Sequence, residues 1–581
     1  MILEELIRSI AEQDSGSSKE MPETVVAMLQ ARIGRFDSGA RRAVRAASVF
    51  GQTFWSGGVA AILGLPKNAP AVTGWLAALI DAEIIERHAD SRLGEEQEYG
   101  FRHALVQDAA YGLLTESDLS TGHRLAGEFL EAEGERDAAV IAEHYQRGGE
   151  PERAAPLFLR AGDEAARLGL ISAARQHFAA AATILGSAPA SAAARRLQAE
   201  ALIKQTGVSL FSDSREKNLE RLVAAEALVS APAQAAADAV DITDTRLLAR
   251  AHYSMGRVNF YGGSYQELAL FWYQQALTQA QQIDDPELTS VVAMALGTMR
   301  SLQGQPRPAS QLLHRALELM SQLDNELEMI RASIWLGWNQ VQVGHYRDGL
   351  RNIEEAEGRA RQLKQPLLIF AGQVLRASSH RCAMNFSKML AAVANLGAAL
   401  AQQGEKVAAC TALSLEEWAH GHLGQKEEAA AVRTRLLALS EEVGGRYPAS
   451  DWFAAGRAEA ALRDGTPEVA LRLAQEVVET SRPASLFVSW VIAERVWGAA
   501  LSRLGGAIEE SEAHLKESLR IASAEELRLE MAHTELWWGR TLHERGAQEA
   551  AQPHFRSALE IFERAGCDEG MAQAQAAATP R

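Results

Sequence analysis

No glycine-lysine dipeptide occurs in the 581 residues, so the G-x-x-x-x-G-K-[ST] loop that cradles nucleotide phosphates is missing. The H-R-D, D-F-G and V-A-I-K elements of protein kinases are absent too, as are the H-E-x-x-H zinc helix and the G-x-S-x-G nucleophile turn. Fifteen histidines are scattered along the chain, and the closest two, His420 and His422, are spaced too far around a helix to share one face. Asp284-Asp285 follows Gln-Gln-Ile rather than a buried strand, which makes it a helix-end loop instead of a magnesium-holding acidic pair. The expectation is a non-enzyme with no catalytic, cofactor-binding or metal-binding residues and no cofactor.

Cysteine is scarce. Cys382, Cys410 and Cys567 lie far apart with no C-x-x-C spacing, which argues against a disulfide framework or zinc knuckle and for buried thiols in a reducing cytosol. Long apolar runs are lacking: the longest, Leu367 to Leu375, is interrupted by Gln373 and falls far below the roughly 20 residues of a membrane helix. The amino terminus carries Glu4 and Glu5 rather than a basic region leading into an apolar one. A soluble cytoplasmic protein without membrane contact is expected. Positive charge is also in deficit, and the net charge of -17 repels a phosphate backbone, so nucleic-acid binding is disfavoured.

What is present is a repeat of about 40 residues, marked by turn glycines at Gly263, Gly304, Gly344, Gly424, Gly465, Gly506 and Gly546. The gap in the series falls at Met384, where Asn385 is expected to take the left-handed turn conformation. Small residues precede each turn by seven positions, as at Gly256, Gly297, Gly337, Ala377, Ala458, Ala499 and Gly539, and others follow it by five, as at Ala309, Gly349, Ala429, Ala470, Ser511 and Ala551. Ala316, Ala356 and Ala558 follow twelve after the turn, while Glu417, Met389, Leu396 and Leu436 depart from the pattern. Small residues at such offsets let two helices approach closely. Each unit reads as a helical hairpin that must stack on its neighbours to bury its apolar face.

The segment Trp335-Leu336-Gly337, Gly344-His345-Tyr346, Gly349, Ile353 and Ala356 resembles the tetratricopeptide repeat, as does Trp538-Gly539, Gly546, Ala551, Phe555 and Ala558. The longer period suggests helices extended by nearly a turn beyond the usual ~34-residue unit. That resemblance implies a concave groove lined by the first helix of each hairpin, receiving Arg257, Thr298, Trp338, Ser378, Trp418, Glu459, Ala500 and Arg540. Trp and Arg are common interface anchors, so Arg257, Trp338, Trp418 and Arg540 are the candidate partner-binding residues. The competing reading packs Trp338 and Trp418 between repeats.

Upstream of the repeats, helical patterns at about 37–49, 55–64 and 69–82 precede short strands at Ile84 to Arg87 and Glu98 to Arg102 around a polar loop. Helices followed by strand-loop-strand point to a winged-helix domain. The helix from Ala69 to Ala82 contains no Lys or Arg and reads as a packing helix rather than one that reads DNA, while Arg41, Arg42 and Arg45 read as a solvated face. The expected organisation is a helix and linker at 1–20, a winged-helix-like domain at 21–133, irregular hairpins at 134–240, a TPR-like solenoid at 241–570 and a frayed tail at 571–581. The fold class is mainly all-α.

The stretches Leu3-Glu4-Glu5-Leu6-Ile7-Arg8, Pro22-Glu23-Thr24-Val25, Arg45-Ala46-Ala47-Ser48-Val49-Phe50-Gly51 and Tyr99-Gly100-Phe101-Arg102-His103-Ala104-Leu105-Val106-Gln107-Asp108-Ala109-Ala110-Tyr111 resemble bacterial STAND-class signalling ATPases. His144-Tyr145 and Gly148-Gly149-Glu150-Pro151 continue the likeness. In that family a winged helix and helical repeats follow the ATPase, and a serine/threonine kinase or nucleotide cyclase often precedes it. The chain thus looks like the carboxy-terminal sensor half of such a protein. The resemblance implies a module of bacterial signal transduction whose repeats receive a protein, peptide or small-effector signal. Two rivals stand beside it: a winged-helix transcription regulator, disfavoured by a wing acidic at Glu95, Glu96 and Glu98, and a piece of a longer kinase or ATPase whose full-length form has ATP-dependent activity.

Overall fold

The computed structural model describes residues 23–186, 191–210, 212–230, 242–262 and 266–579. It divides into two compact units, Met1–Ala201 and Leu202–Arg581. The readings made for residues 1–22, the loop at 231–241 and the turn at Gly263 fall outside the described residues.

In the first unit, Asp37 opens the helix Ser38–Ser48 by accepting from the N–H groups of Gly39 and Ala40, a side-chain N-cap. Ala40, Ala43, Val44 and Ala47 recur at helical spacing and are all buried. The helices Ser56–Ile62 and Pro70–Asp81 follow, the second with its proline at the start, where a missing N–H costs nothing. Strands β1 (Thr53–Trp55), β2 (Ile85–Arg87) and β3 (Glu98–Phe101) form an antiparallel sheet in the order β1-β3-β2. Phe54 pairs with Tyr99 and Ile85 with Phe101, so one cluster of buried rings and aliphatic side chains joins all three strands. The short β1 carries no alternation long enough to announce itself in the sequence.

Two of the three acids assigned to the wing turn inward. Glu96 accepts from the Gly57 N–H at 2.9 Å and pairs with Lys67 at 2.9 Å, while Glu98 lies 2.9 Å from His88 Nδ1 and accepts from the Arg92 N–H at 3.0 Å. The expectation of an acidic wing surface therefore fails for Glu96 and Glu98 and holds only for exposed Glu95. Further along, the helices Pro151–Arg167 and Ile171–Gly186 form a hairpin closed at left-handed Gly169, with Phe178 seated against Gly162.

The second unit is a TPR-like α-solenoid with a half-period of its own. Glu326–Gln342, Tyr346–Gln362, Pro366–Cys382, Lys406–His422 and Arg528–Glu544 are each 17 residues long. A left-handed residue follows about every 20 positions: Asp284, Gly304, Asp324, Gly344, Lys364, Met384, Gly404, Gly424, Gly444, Gly465, Ser485, Gly505, Glu526, Gly546 and Gly566. At each, the next N–H reaches back to a carbonyl near the helix end, as His345 does to Gln340 at 2.8 Å and Gln365 to Ala360 at 3.0 Å. The glycine series marks only the turns inside hairpins. Turns between hairpins are built more often on Asp, Lys, Ser or Glu, at a cost of about 1 kcal/mol each, than on Gly, and so leave no regular glycine series.

Three local expectations are corrected. Met384 itself is left-handed, because Asn385 is needed next door as the N-cap that accepts from the Lys388 N–H. The left-handed glycine of the seventh turn is Gly505, not Gly506. Residues 571–581 are not a frayed tail throughout, since Asp568–Ala578 is a helix with Ala574 buried. Its small residues are what permit docking: a Cβ at Gly570 would stand 2.6 Å from the Phe562 ring. Where Met389 and Leu396 break the small-residue pattern, the second helix of the hairpin splits into Phe386–Val393 and Leu396–Gln402 around left-handed Asn395.

Close approach within hairpins is tightest at Gly337 and Gly349. A Cβ on the first would meet the Gly349 carbonyl at 2.7 Å, and a Cβ on the second would meet the Gly337 carbonyl at 2.4 Å. The unit also winds back on itself. Gly304 abuts Val488, Gly344 abuts Arg528, the ring of His533 is 2.9 Å from the Cys382 carbonyl, and Arg347 donates to the Gly566 carbonyl at 3.2 Å. Among the described residues no helix is long and apolar enough to cross a membrane.

Candidate functional site

The first helices of successive hairpins present one side to the interior of this winding, and five of them build a buried polar centre. Pro366–Cys382 contributes Arg381, Lys406–His422 contributes Trp418 and His422, Ser450–Arg463 contributes Trp452 and Glu459, Phe487–Arg503 contributes Arg495, and Arg528–Glu544 contributes Glu530. Arg381 and Arg495 are 1% and 0% exposed, which is rare for arginine and demands full pairing. Arg381 Nη1 donates to Glu530 Oε1. Arg495 bridges the two acids, donating to Glu530 Oε2 at 3.1 Å and to Glu459 Oε1 at 3.3 Å.

Burial pushes the Glu530 carboxyl up, but the Arg381 and Arg495 guanidinium groups overcome it and hold it at about 2. Glu459 likewise stays well below the usual carboxylate range, burial being outweighed by His422 and Arg495. Burial depresses His422, whose ring stacks on Phe386 at 3.9 Å and whose Nδ1 faces Arg463 at 2.5 Å. The Arg381 guanidinium also lies 4.8 Å over the Trp418 ring and 5.9 Å over Trp452, so its charge is met by carboxylate and π-face together.

The predicted groove residues divide into two groups. Trp338 and Trp418 are 5% and 3% exposed and flank Trp452 at 6.3 and 5.1 Å, so the expectation that they stand partly open on a groove is wrong. Ser378, Glu459 and Ala500 are buried with them. The reason is the winding: Phe487–Arg503 and Arg528–Glu544 return to cover a face that a single turn of repeats would leave open. Arg257 and Arg540 remain half-buried and take no part in that centre, Arg257 lying far from it in sequence and Arg540 on the helix that carries Glu530. Arg257 lies over the Tyr253 ring at 5.9 Å; Arg540 donates to Gln573 at 3.0 Å and is held down to about 10 by burial and the charge of Arg463.

Arg381, Trp452, Arg495 and Glu530 were missed because they occupy different heights of the repeat, so no single period connects them. A signal existed for one: Glu494-Arg495 interrupts an otherwise apolar helix. The centre is incompletely paired. Trp338 Nε1, Trp418 Nε1, Trp452 Nε1, Arg381 Nη2 and Arg495 Nε are buried without a hydrogen-bond partner among the described residues. Beside them lies a void of about 10 Å³ lined by Trp338, Gln342, Arg381, Trp452 and Glu530.

The acidic pair and the cysteines have structural places. Asp284 is a left-handed turn residue and Asp285 an N-cap that accepts from the Leu288 N–H at 3.0 Å. All three cysteines are buried and free, and burial pushes the Cys382 and Cys410 thiols up to about 12, where they are unreactive. His123 and His144 meet at 3.0 Å in the first unit, with the Tyr111 hydroxyl 2.8 Å from His123 Nε2.

No known family model matches the chain. A stretch of 110 residues is 33% identical to an uncharacterized protein of Rhizobium meliloti (strain 1021), covering 18% of this chain and 10% of that protein's length. The solved structure of a Rap protein complexed with competence and sporulation factor is similar to 64% of this chain over 99% of its own, at 12% identity and a TM-score of 0.50. A STAND protein with a tetratricopeptide repeat sensor from Pyrococcus horikoshii aligns over 73% of this chain and 67% of its own, at 13% identity and a TM-score of 0.37. The Rap likeness shows a shared helical-repeat fold.

Proposed function

We propose that this chain is a non-enzymatic protein-interaction and signal-sensing module of bacterial signal transduction, whose repeat array receives a protein, peptide or small-effector partner on its inner face. The observation that carries the reading is the inner face itself, where arginines, glutamates and tryptophans are buried against one another with several donors unpaired. Each unpaired buried donor costs on the order of 1–3 kcal/mol, so the closed arrangement is stable but not optimal. A partner offering carbonyl and carboxylate oxygens supplies the missing acceptors and competes with Glu530 and Glu459 for the arginines. The Rap protein of similar fold was solved with a factor bound. The proposed division is a winged-helix-like domain at 21–133, hairpins at 134–240 and the sensing solenoid at 241–570.

The test is a peptide-library screen on the purified chain, repeated with Glu530→Gln. A partner that needs the inner face exposed binds the variant more tightly, because weakening closure raises the competent population. No saturable partner, or partners indifferent to Glu530→Gln, refutes the reading. Saturable nucleotide binding by calorimetry, abolished by a point mutation, would instead favour the ATP-dependent rival.

One observation favours the transcription-regulator reading more than the sequence did. With Glu96 and Glu98 turned inward, Arg87, Arg92 and Arg102 share the exposed wing with Glu86, Asp90 and Glu95, so the wing is balanced rather than acidic. Against it, the exposed positions of Pro70–Asp81 are Pro70, Ala71, Thr73, Gly74, Ala77 and Asp81, which offer no cation or amide to a base edge. A sequence-selective mobility shift at nanomolar concentration would promote this rival.

A further inference from the structure

Where the array winds back on itself, a cleft of about 590 Å³ opens between the turns around Arg307 and His345 and the start of the helix Arg528–Glu544. Its volume falls in the ~300–1,000 Å³ range of ligand sites. It lies apart from the inner polar centre and none of its lining residues belongs to that centre. Its walls carry Arg307, Gln311, His314, His345 and Arg528, against a single acid, Glu526. Arg307 pairs with that acid at 2.8 Å. The side chains of Arg528, His314 and His345 are exposed and have no hydrogen-bond or ion-pair partner among the described residues.

In a chain of net charge -17, two arginines and two histidines facing one cleft against a single acid are a local reversal of sign. Histidine offers a ring N–H in either protonation state, and arginine suits carboxylates through its planar fork. Two helices begin at the cleft, Tyr346–Gln362 and Arg528–Glu544, and neither N-cap, His345 or Leu527, supplies a side-chain acceptor to its first turn. Their positive ends add to the side-chain charge. The third helix, Pro306–Gln322, has proline at 306 and 308, so its first turn lacks the run of N–H groups that wraps a phosphate. The cations are instead spread along the cleft, with the Gln311 amide beside them to pair with a peptide bond.

We propose that this cleft binds a short acidic peptide segment of a partner protein, its carboxylates held by Arg528, His345, His314 and Arg307. The segment bridges turns of the winding that are about 200 residues apart in sequence, so its binding fastens them together.

The probe is an acetylated, amidated Glu-Asp-Glu-Asp tetrapeptide titrated into the full chain by calorimetry, with citrate and inorganic phosphate in parallel. Saturable tetrapeptide binding is expected, weakened about tenfold or more by Arg528→Ala, as loss of a charge-assisted pair predicts. His345→Ala weakens it several-fold, and Arg520→Ala, on an exposed residue paired with Glu517 outside the cleft, leaves it unchanged. Bound peptide also slows amide exchange at residues 524–532 in the wild type. Arg528 and His345 belong to different helix starts and are both exposed, so if one variant fails to fold the other still decides. Absence of saturable binding at millimolar peptide, or binding that both cleft variants leave unchanged, overturns the proposal. Citrate or phosphate binding as tightly as the tetrapeptide overturns the peptide assignment. Because no variant touches Glu530 or its arginines, failure here leaves the inner-face reading standing.

Discussion

Glu96 and Glu98 in the sheet-bearing unit and Glu459 and Glu530 in the array are all buried, yet they are held in different ways. Glu96 and Glu98 find partners close by: the backbone N–H groups of Gly57 and Arg92, Lys67, and the ring of His88. Glu459 and Glu530 are held by guanidinium groups from other hairpins, and Glu530 meets Arg381 across 149 residues of chain. The first arrangement fastens a loop to its own domain. The second, through Arg381 and Glu530, joins the contacts of Gly304 with Val488, Gly344 with Arg528 and His533 with Cys382 in fastening the winding of the solenoid. Burial of a charge thus marks local order in one region and long-range closure in the other.

The sharpest way to break this contrast is Glu530→Ala, which strands Arg381 and Arg495 without their shared acid. A loss of about 3–5 kcal/mol is expected. Peptide-resolved hydrogen exchange should show it in both Pro366–Cys382 and Phe487–Arg503. Loss confined to the mutated helix would mean that the contact does not close the winding. Trp338→Ala comes next, at roughly 3 kcal/mol, since the indole is core rather than groove. A variant that folds with an unchanged melting temperature would restore the open-groove picture.

Acid destabilises both regions, and the steepness at the acid end separates them. The folded value of Glu530, about 2, lies below its ordinary 4.5, so its contribution is complete above 4.5 and is lost as pH falls toward 2. Burial depresses His123 and His144 in the first unit, and His533, at about 4, in the array. For these imidazoles the unfolded chain takes up protons first, so stability begins to fall below the ordinary value of 6.5. Exchange measured from pH 7 downward should weaken both regions first, and the array more steeply below 4.5. Equal slopes at the acid end would contradict the held-down Glu530 carboxylate.

Glu96→Ala is a smaller perturbation, expected to cost about 1–3 kcal/mol because the Gly57 N–H loses its acceptor and Lys67 falls back to Glu133. The loss should stay within the sheet and its adjoining helices. Its exposed neighbour is the control: Glu95→Ala should change stability by no more than about 0.5 kcal/mol. A Glu95 effect as large as that of Glu96 would show that the loop's order does not depend on the inward turn.

Much of the fold was legible because its signals are local. The glycine at Gly344, with Gly337 before it and Gly349 after it, specifies a tight hairpin through backbone conformation and close approach alone. The helices before the sheet were legible from apolar spacing and from Pro70. The turns at Asp324, Lys364 and Glu526 were not, since residues with a Cβ adopt the left-handed conformation there only because the stacked helices impose it. Trp338 and Trp418 show the same limit at the candidate site, because a tryptophan suited to an interface is equally suited to a core.

By itself the sequence determined the all-α repeat architecture, the hairpin turns, the absence of known enzyme motifs and the acidic balance of the chain. Each follows from backbone conformation, side-chain size or charge, properties carried by single residues and short spacings. Only the tertiary structure decided that the inner face is filled, that Arg381 and Arg495 share Glu530, that Glu96 and Glu98 turn inward, and that Arg307, His345 and Arg528 rim one cleft. Those outcomes depend on the small rotation between successive hairpins, a quantity summed over many repeats. No window of sequence contains that sum.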